Sequence, residues 1–338
     1  GDLWDSGEQA SEANAQVVYR GASLGSRQRA FWKVRSFDDE GEPSAWSAPA
    51  RFEIGLLDPS DWTARWIASP LSGAPKSSGV VPALRRGFQV DGPIARARLY
   101  VTALGLYQAW INGRRVGDQE LAPGWTDFAT RVRYQVYDVT DHLQEGENAI
   151  GALLGDGWYC GFLGLVKARE NYGRRPALLA QLEILYADGS ETRIASDEEW
   201  HWHASPILES DIMQGEMVDA RRNLGAWTQP GYDEGTWAGV EIAETPAISL
   251  DAMSGPPVRA IRELSPVKDA PLLKGHPLFA PRWIFDLGQN MVGRVRLRVR
   301  GEEGTTVQLR HAEVLDENGE LYTENLRDAR ATDTFTLR

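Results

Sequence analysis

Short runs of alternating apolar and polar residues recur along the chain and predict β-strands. The pattern is clearest in residues 95–113 (ARARLYVTALGLYQAWING), 131–140 (RVRYQVYDVT) and 177–189 (ALLAQLEILYADG). Alternation in period two places successive side chains on opposite faces of a strand, and Asn-Gly and Asp-Gly pairs at the ends of the runs are turn signals. Long helical periodicity is absent. The sequence therefore predicts an all-β chain of consecutive antiparallel β-sandwich or jelly-roll domains.

Breaks in this pattern divide the chain into three predicted domains. Residues 1–57 contain a hairpin signal around an acidic Gly-Pro turn and predict a partial β-sandwich. Residues 58–257 open with turn residues and predict a second antiparallel sandwich. A Pro-rich stretch separates them from residues 258–338, a predicted partial β-sandwich in which 282–322 alternate again. The chain ends within a predicted strand, which favours a longer parent protein.

Composition narrows the classes of function. With 36 Lys and Arg against 48 Asp and Glu, the net charge of -12 makes nucleic acid and anionic membranes unexpected partners. The 13 Trp and 10 Tyr residues offer flat apolar faces that suit a sugar as well as a core. Cys160 is the only cysteine, which excludes an intramolecular disulfide. The N-terminus lacks signal-peptide features, and the compartment, cytoplasmic or periplasmic, stays open.

One glycine-rich loop, residues 153–164 (LLGDGWYCGFLG), carries the first candidate site. Its glycines allow positive φ angles and the close approach of a ligand or another chain segment. Asp156 is then a candidate ligand for a sugar hydroxyl or a metal ion, and Trp158 and Tyr159 are candidate sugar platforms. The competing interpretation is a tight loop whose aromatic residues plug the end of the sandwich.

A second candidate site lies in residues 210–222 (SDIMQGEMVDARR). Glu216, Asp219 and Arg221 are candidates for sugar binding, because carboxylates and guanidinium groups bind hydroxyls. Two carboxylates can also act as acid and base when they flank one substrate. The competing interpretation is an internal network of carboxylate–arginine pairs at a domain junction.

Longer motifs in this chain resemble the non-catalytic N-terminal half of bacterial α-L-rhamnosidases. The most specific are LAPGWTDF (121–128), GDGWY (155–159) and FDLGQNMVG (285–293). YDVTDHLQEGEN (137–148) and SDIMQGEMVDAR (210–221) fit the same order, so the resemblance covers nearly the whole chain. It implies a partial fibronectin type III-like sandwich for residues 1–57 and a jelly-roll, carbohydrate-binding-like domain for residues 58–257, which in some relatives binds L-rhamnose with calcium. For residues 258–338 it implies a further, partial β-sandwich.

The resemblance also implies an (α/α)6 barrel beyond this chain. That barrel would carry the general acid and base that hydrolyse terminal α-L-rhamnose from glycosides with inversion. The parent protein is accordingly expected to be a glycoside hydrolase, whereas this chain alone is expected to be inactive and contains no assigned catalytic residue. The expected partners are rhamnose-containing glycans or glycosides and the catalytic domain of the same polypeptide.

No cofactor is required under this interpretation. A calcium ion in the jelly-roll is an expectation of the resemblance, with Asp156 as the candidate ligand. Gly157 weakens that expectation, since it adds no side-chain oxygen beside Asp156. Two alternatives stay open: a stand-alone lectin-like carbohydrate-binding protein and a purely structural β-sandwich scaffold.

Overall fold

Two compact units, Gly1–Thr63 and Ala64–Arg338, make up the chain in the computed structural model. The structure describes residues 1–13, 15–71, 73, 78–164, 168–244, 246–267, 272–273 and 281–338. The predicted division into three domains, with boundaries after residues 57 and 257, stays a prediction. Contacts within the structure group residues 64–338 into one compact unit. Within the described ranges, no helix is long and apolar enough to cross a membrane.

The first unit is built around a β-hairpin. Strands β1 (Arg29–Trp32) and β2 (Ala50–Glu53) pair antiparallel, and a bridge between Phe37 and Pro43 closes the acidic turn. The hairpin that alternation predicted here is confirmed. A short 3₁₀ turn, Pro59–Asp61, ends the unit at the turn residues recognised in the sequence.

Most strands of the second unit come from the alternating runs. The strands and the α-helix described in its first part are β3 (Ile67–Ala68), β4 (Pro82–Val90), β5 (Ile94–Leu104), β6 (Leu106–Ile111), β7 (Arg114–Arg115), β8 (Arg131–Asp138), β9 (Gly146–Gly155), α1 (Gly157–Cys160), β10 (Ala177–Tyr186), β11 (Glu191–Ala195) and β12 (His201–Ala204). The remaining strands are β13 (Ile207–Asp211), β14 (Gly215–Asp219), β15 (Ala238–Gly239), β16 (Glu241–Ile242), β17 (Ser249–Ala252), β18 (Leu272–Leu273), β19 (Arg282–Trp283), β20 (Thr306–Arg310) and β21 (Thr332–Thr336). Further 3₁₀ turns span Thr140–His142, Ala220–Arg222 and Glu324–Leu326.

Two large sheets form a sandwich. One sheet has the order β16-β3-β10-β5-β8-β17 with β11 on β10, and the other has the order β15-β12-β4-β9-β6-β7. The pairings are antiparallel except that β17 joins β8 in parallel. The predicted all-β class is confirmed.

The core lies between these sheets and follows the period-two pattern. In β5 the buried side chains Leu99 and Val101 alternate along the strand, and in β9 Ile150 and Leu154 do the same. Burying a leucine or isoleucine side chain contributes about 1.5–3 kcal/mol, so this face holds the end of β9 rigidly against the opposite sheet. The candidate loop begins where β9 ends.

A third sheet joins distant parts of the chain. Its order is β13-β14-β21-β20, and β14 and β21 run parallel, with Met217 opposite Thr334 and Val218 opposite Phe335. The strand near the C-terminus predicted from TDTFTLR is therefore confirmed as β21. Its partner is the segment that carries Glu216 and Asp219.

One strand prediction is wrong. Residues 294–300 (RVRLRVR) alternate strictly, yet the structure has no strand there, and Val295, Leu297 and Val299 are between 43% and 48% exposed. A strand requires a neighbour that takes up its backbone hydrogen bonds, and none of the described strands pairs with this segment.

Candidate functional site

Two glycines, Gly157 in the loop and Gly105 between β5 and β6, let two chain segments approach closely. Gly105 has a φ of +123°, and a Cβ atom there would lie 2.5 Å from the carbonyl oxygen of Gly155. Gly157 has a φ of +53°, and its added Cβ would lie 2.6 Å from Cγ of Leu106. Side chains at these positions would collide with the neighbouring segment. The glycines thus allow the turn after β5 to approach the end of β9.

Asp156 lies inside the protein at the start of α1. Its side chain is 8% exposed and forms an ion pair with Arg169, whose side chain is 1% exposed. Burial raises the pKa of Asp156 to about 6, although the positive charge of Arg169 acts in the opposite direction. The carboxylate therefore faces a buried guanidinium. Its role as a sugar or calcium ligand stays a prediction.

Trp158 contributes to an aromatic pair at the surface. Its half-buried ring stacks on Trp125, with ring centroids 5.9 Å apart and an interplanar angle of 6°. Trp125 is 56% exposed, so it offers the accessible aromatic surface of the pair. Sequence reasoning quoted LAPGWTDF as a family motif but did not propose Trp125 as a site residue. The signal available in the sequence was a tryptophan directly after the Pro123-Gly124 turn dipeptide.

Tyr159 packs inward. Its ring meets Phe128 edge-on at 5.4 Å and stacks on Tyr172 at 6.5 Å between centroids. A Cβ atom on Gly173 would lie 2.3 Å from this ring, which shows how closely the backbone covers it. Burial raises the pKa of the Tyr159 hydroxyl. This part of the loop supports the plug interpretation.

Asp211, at the end of β13, ties the second candidate segment to the loop. Its Oδ2 accepts the backbone N–H of Phe162 at 2.9 Å, and its Oδ1 accepts those of Met213 at 2.8 Å and Gln214 at 3.0 Å. Buried carboxylates satisfied by backbone donors hold loops in place. The hairpin of β13 and β14 is thus anchored on the segment that follows α1.

Glu216, Asp219 and Arg221 form part of an internal network. Asp219 accepts two hydrogen bonds from the guanidinium of Arg221, at 2.8 and 2.9 Å, and these bonds lower its pKa. Burial raises the pKa of Glu216, and the nearby negative charge of Asp333 adds to this effect. The backbone N–H of Glu216 donates to Asp333 at 2.8 Å. The Glu216–Asp333 bond joins β14 to β21, whereas the Asp219–Arg221 bonds connect the end of β14 to the turn that follows it.

The structure thus brings Asp156, Trp158 and Tyr159 together around one helical turn and leaves Glu216, Asp219 and Arg221 on the neighbouring hairpin. Within β14, residues 216 and 219 point to opposite faces because side chains alternate along a strand. Among the described residues, no group of three or more His, Cys, Asp or Glu side chains could hold a metal ion.

Family models match three parts of the chain in order. Residues 1–58 match the Rha78A-like N-terminal immunoglobulin domain, 92–262 the α-L-rhamnosidase N-terminal domain, and 279–338 the bacterial α-L-rhamnosidase concanavalin-like domain. The middle model alone spans half of the sequence.

Individual relatives carry the same name. An α-L-rhamnosidase of Streptomyces avermitilis is 45% identical over 310 residues, which cover 91% of this chain and 28% of the relative. A second α-L-rhamnosidase, from Formosa agariphila, is 36% identical over 348 residues. This match covers 99% of the present chain and 36% of the relative. A crystal structure of a Streptomyces avermitilis α-L-rhamnosidase complexed with L-rhamnose superposes with a TM-score of 0.90 at 32% identity, over 99% of this chain and 48% of that one. The chain therefore spans about a third of the curated relatives it matches.

Proposed function

Because the chain belongs to the bacterial α-L-rhamnosidase family, we propose that it is the accessory region of a protein that removes terminal α-L-rhamnose from glycosides with inversion. The ordered match to three N-terminal domain models supports this proposal most strongly. The substrates of the whole protein are then rhamnose-containing glycans or glycosides, and its hydrolytic acid and base lie in another domain of the same polypeptide.

The geometry supports a binding role at the aromatic pair. Trp125 is exposed, and stacking on Trp158 holds its ring in one orientation before any ligand arrives. A rigid aromatic surface binds at low entropic cost and suits the C–H face of a sugar ring. We therefore place the candidate L-rhamnose contact at this pair. Asp156 and Tyr159 contact the interior of the protein and hold the helical turn α1 that carries Trp158.

The acidic hairpin is not included in this binding proposal. The carboxylate of Asp219 is engaged by Arg221, and Glu216 lies against Asp333. Both contacts favour a structural role: the first is local to the end of β14, and the second lies between β14 and β21.

Titration of the chain with L-rhamnose tests the binding role. A monosaccharide offers few heavy atoms, so we expect a dissociation constant of about 0.1–1 mM. Trp125→Ala and Trp158→Ala should abolish the calorimetric signal. Trp46→Ala is the matched control, because Trp46 is 48% exposed in the first unit and its loss should leave the affinity unchanged.

Two outcomes would contradict the binding role. A well-folded sample that shows no heat of binding at millimolar L-rhamnose would favour the scaffold alternative. Trp158→Ala protein that binds normally but unfolds more easily would show that the loop only closes the sandwich.

A further inference from the structure

The carboxylate of Asp156, the candidate calcium ligand, is already paired with a buried guanidinium. Arg169 is paired with the carboxylate, and its guanidinium carbon lies 5.4 Å from the centroid of the Phe162 ring. We infer that Arg169 is the internal cation of this loop and that the chain holds its aromatic pair in place without calcium. The inference extends the proposed sugar site but can be tested without sugar.

The oxygen donors around Asp156 do not suit calcium. Calcium is bound by about six to eight oxygen atoms. Asp211 is close enough to raise the pKa of Asp156, yet its two oxygens accept backbone N–H groups of the loop and the hairpin. Glu170 also influences Asp156 but pairs with Arg174 at 3.3 Å. Gly157 contributes no side-chain oxygen.

The guanidinium is buried, and the backbone lies close to it. A Cβ atom on Gly73 would lie 2.2 Å from Nη1 of Arg169, so the backbone at Gly73 packs directly against it. A divalent cation at Asp156 would have to displace a buried positive charge or bind next to it. Either arrangement is unfavourable, because like charges repel strongly away from water.

The pair also has a positive role in positioning the loop. Asp156 is the residue from which α1 starts, and its carbonyl accepts the N–H of Cys160 at 3.1 Å. Holding its side chain on Arg169 fixes the turn that presents Trp158. Arg169 is therefore a positioning residue for the Trp125–Trp158 pair. The positive charge that balances Asp156 comes from the chain itself rather than from a metal ion.

Thermal unfolding in millimolar calcium and in chelator tests the inference. We expect the wild-type midpoint to agree within about 1 °C between the two conditions. Arg169→Gln should lower the midpoint by about 10 °C, because it leaves a buried carboxylate without its partner. Adding Asp156→Asn to Arg169→Gln should restore most of that loss. The matched control Arg65→Gln removes an exposed pair, 52% and 69% exposed, and should change the midpoint by about 2 °C or less.

A saturable rise of the wild-type midpoint with calcium that Asp156→Asn abolishes would overturn the inference. An Arg169→Gln midpoint no lower than that of Arg65→Gln would also overturn it. Calorimetry with L-rhamnose in chelator is a separate measurement. If the chain does not bind sugar, the proposed function is contradicted, but the effect of calcium on thermal unfolding still tests the inference. If the chain binds sugar only in the presence of calcium, this inference alone is contradicted.

Discussion

At the scale of single residues, burial changes the chemistry of Asp156. In the sequence this residue is the one charged side chain of a glycine-rich loop, where an exposed carboxylate would be charged and hydrated. In the folded chain the whole residue is 6% exposed, and the pKa of its carboxyl group rises to about 6 even with Arg169 beside it. Burial disfavours the charged form of a carboxyl group, and the partner only reduces the effect.

The raised pKa predicts a specific pH dependence of stability. Since the folded-state pKa of about 6 exceeds the usual 3.8, the contribution of Asp156 is fully present below about pH 4 and is lost as the pH rises through 6. The loss should be about 3 kcal/mol in the free energy of unfolding. Asp156→Asn should lack this contribution. Urea unfolding of both proteins at several pH values measures it, and parallel pH profiles would contradict the assignment.

At the scale of elements, the parallel pairing of β14 with β21 depends on one glycine. Gly215 has a φ of +92°, and an added Cβ atom would lie 2.2 Å from the carbonyl oxygen of Thr332. The close approach lies just before the first paired residues of the two strands, Met217 and Thr334. In the sequence, the candidate functional residues of this segment are Glu216 and Asp219, and no local signal marks Gly215 as the contact with β21.

Gly215→Ala should therefore destabilise the second unit by more than backbone strain alone. Positive φ at a non-glycine residue costs about 1–3 kcal/mol, and the contact with Thr332 adds to it. Gly189→Ala is the matched control, because Gly189 has a φ of +88° with no atom within 4 Å of the added Cβ. Urea unfolding should show the larger loss for Gly215→Ala, and equal losses would mean that the sheet adjusts to the contact.

At the scale of the whole molecule, the candidate carboxylates Glu216, Asp219 and Asp156 lie on different faces and elements of the fold. Inverting glycosidases place two carboxyl groups about 6.5–9.5 Å apart across one bond. Here Glu216 and Asp219 leave β14 on opposite faces, and Asp156 is buried against Arg169. The fold instead presents aromatic surface at the end of the sandwich.

We accordingly expect this chain to show no turnover of an aryl α-L-rhamnoside. A full-length family member provides the positive control in the same chromogenic assay. Turnover by this chain that disappears in Glu216→Gln or Asp219→Asn would identify the hairpin as catalytic and would contradict the accessory role.

The sequence by itself determined the all-β class, most strand positions and the family. Alternation and turn residues are local signals, and strands such as β5, β8 and β10 follow them because one face of each must be buried. The family motifs are likewise contiguous stretches, readable without knowing which segments meet.

Only the tertiary structure decided what the candidate residues contact. Arg169 reaches Asp156, Trp125 stacks on Trp158, and Asp333 meets Glu216 across 117 positions of sequence. Residues 294–300 likewise alternate like a strand in the sequence, but none of the described strands pairs with them. The physical reason is that pairing, burial and charge compensation depend on which distant segments the topology brings together, and that information is absent from any local pattern.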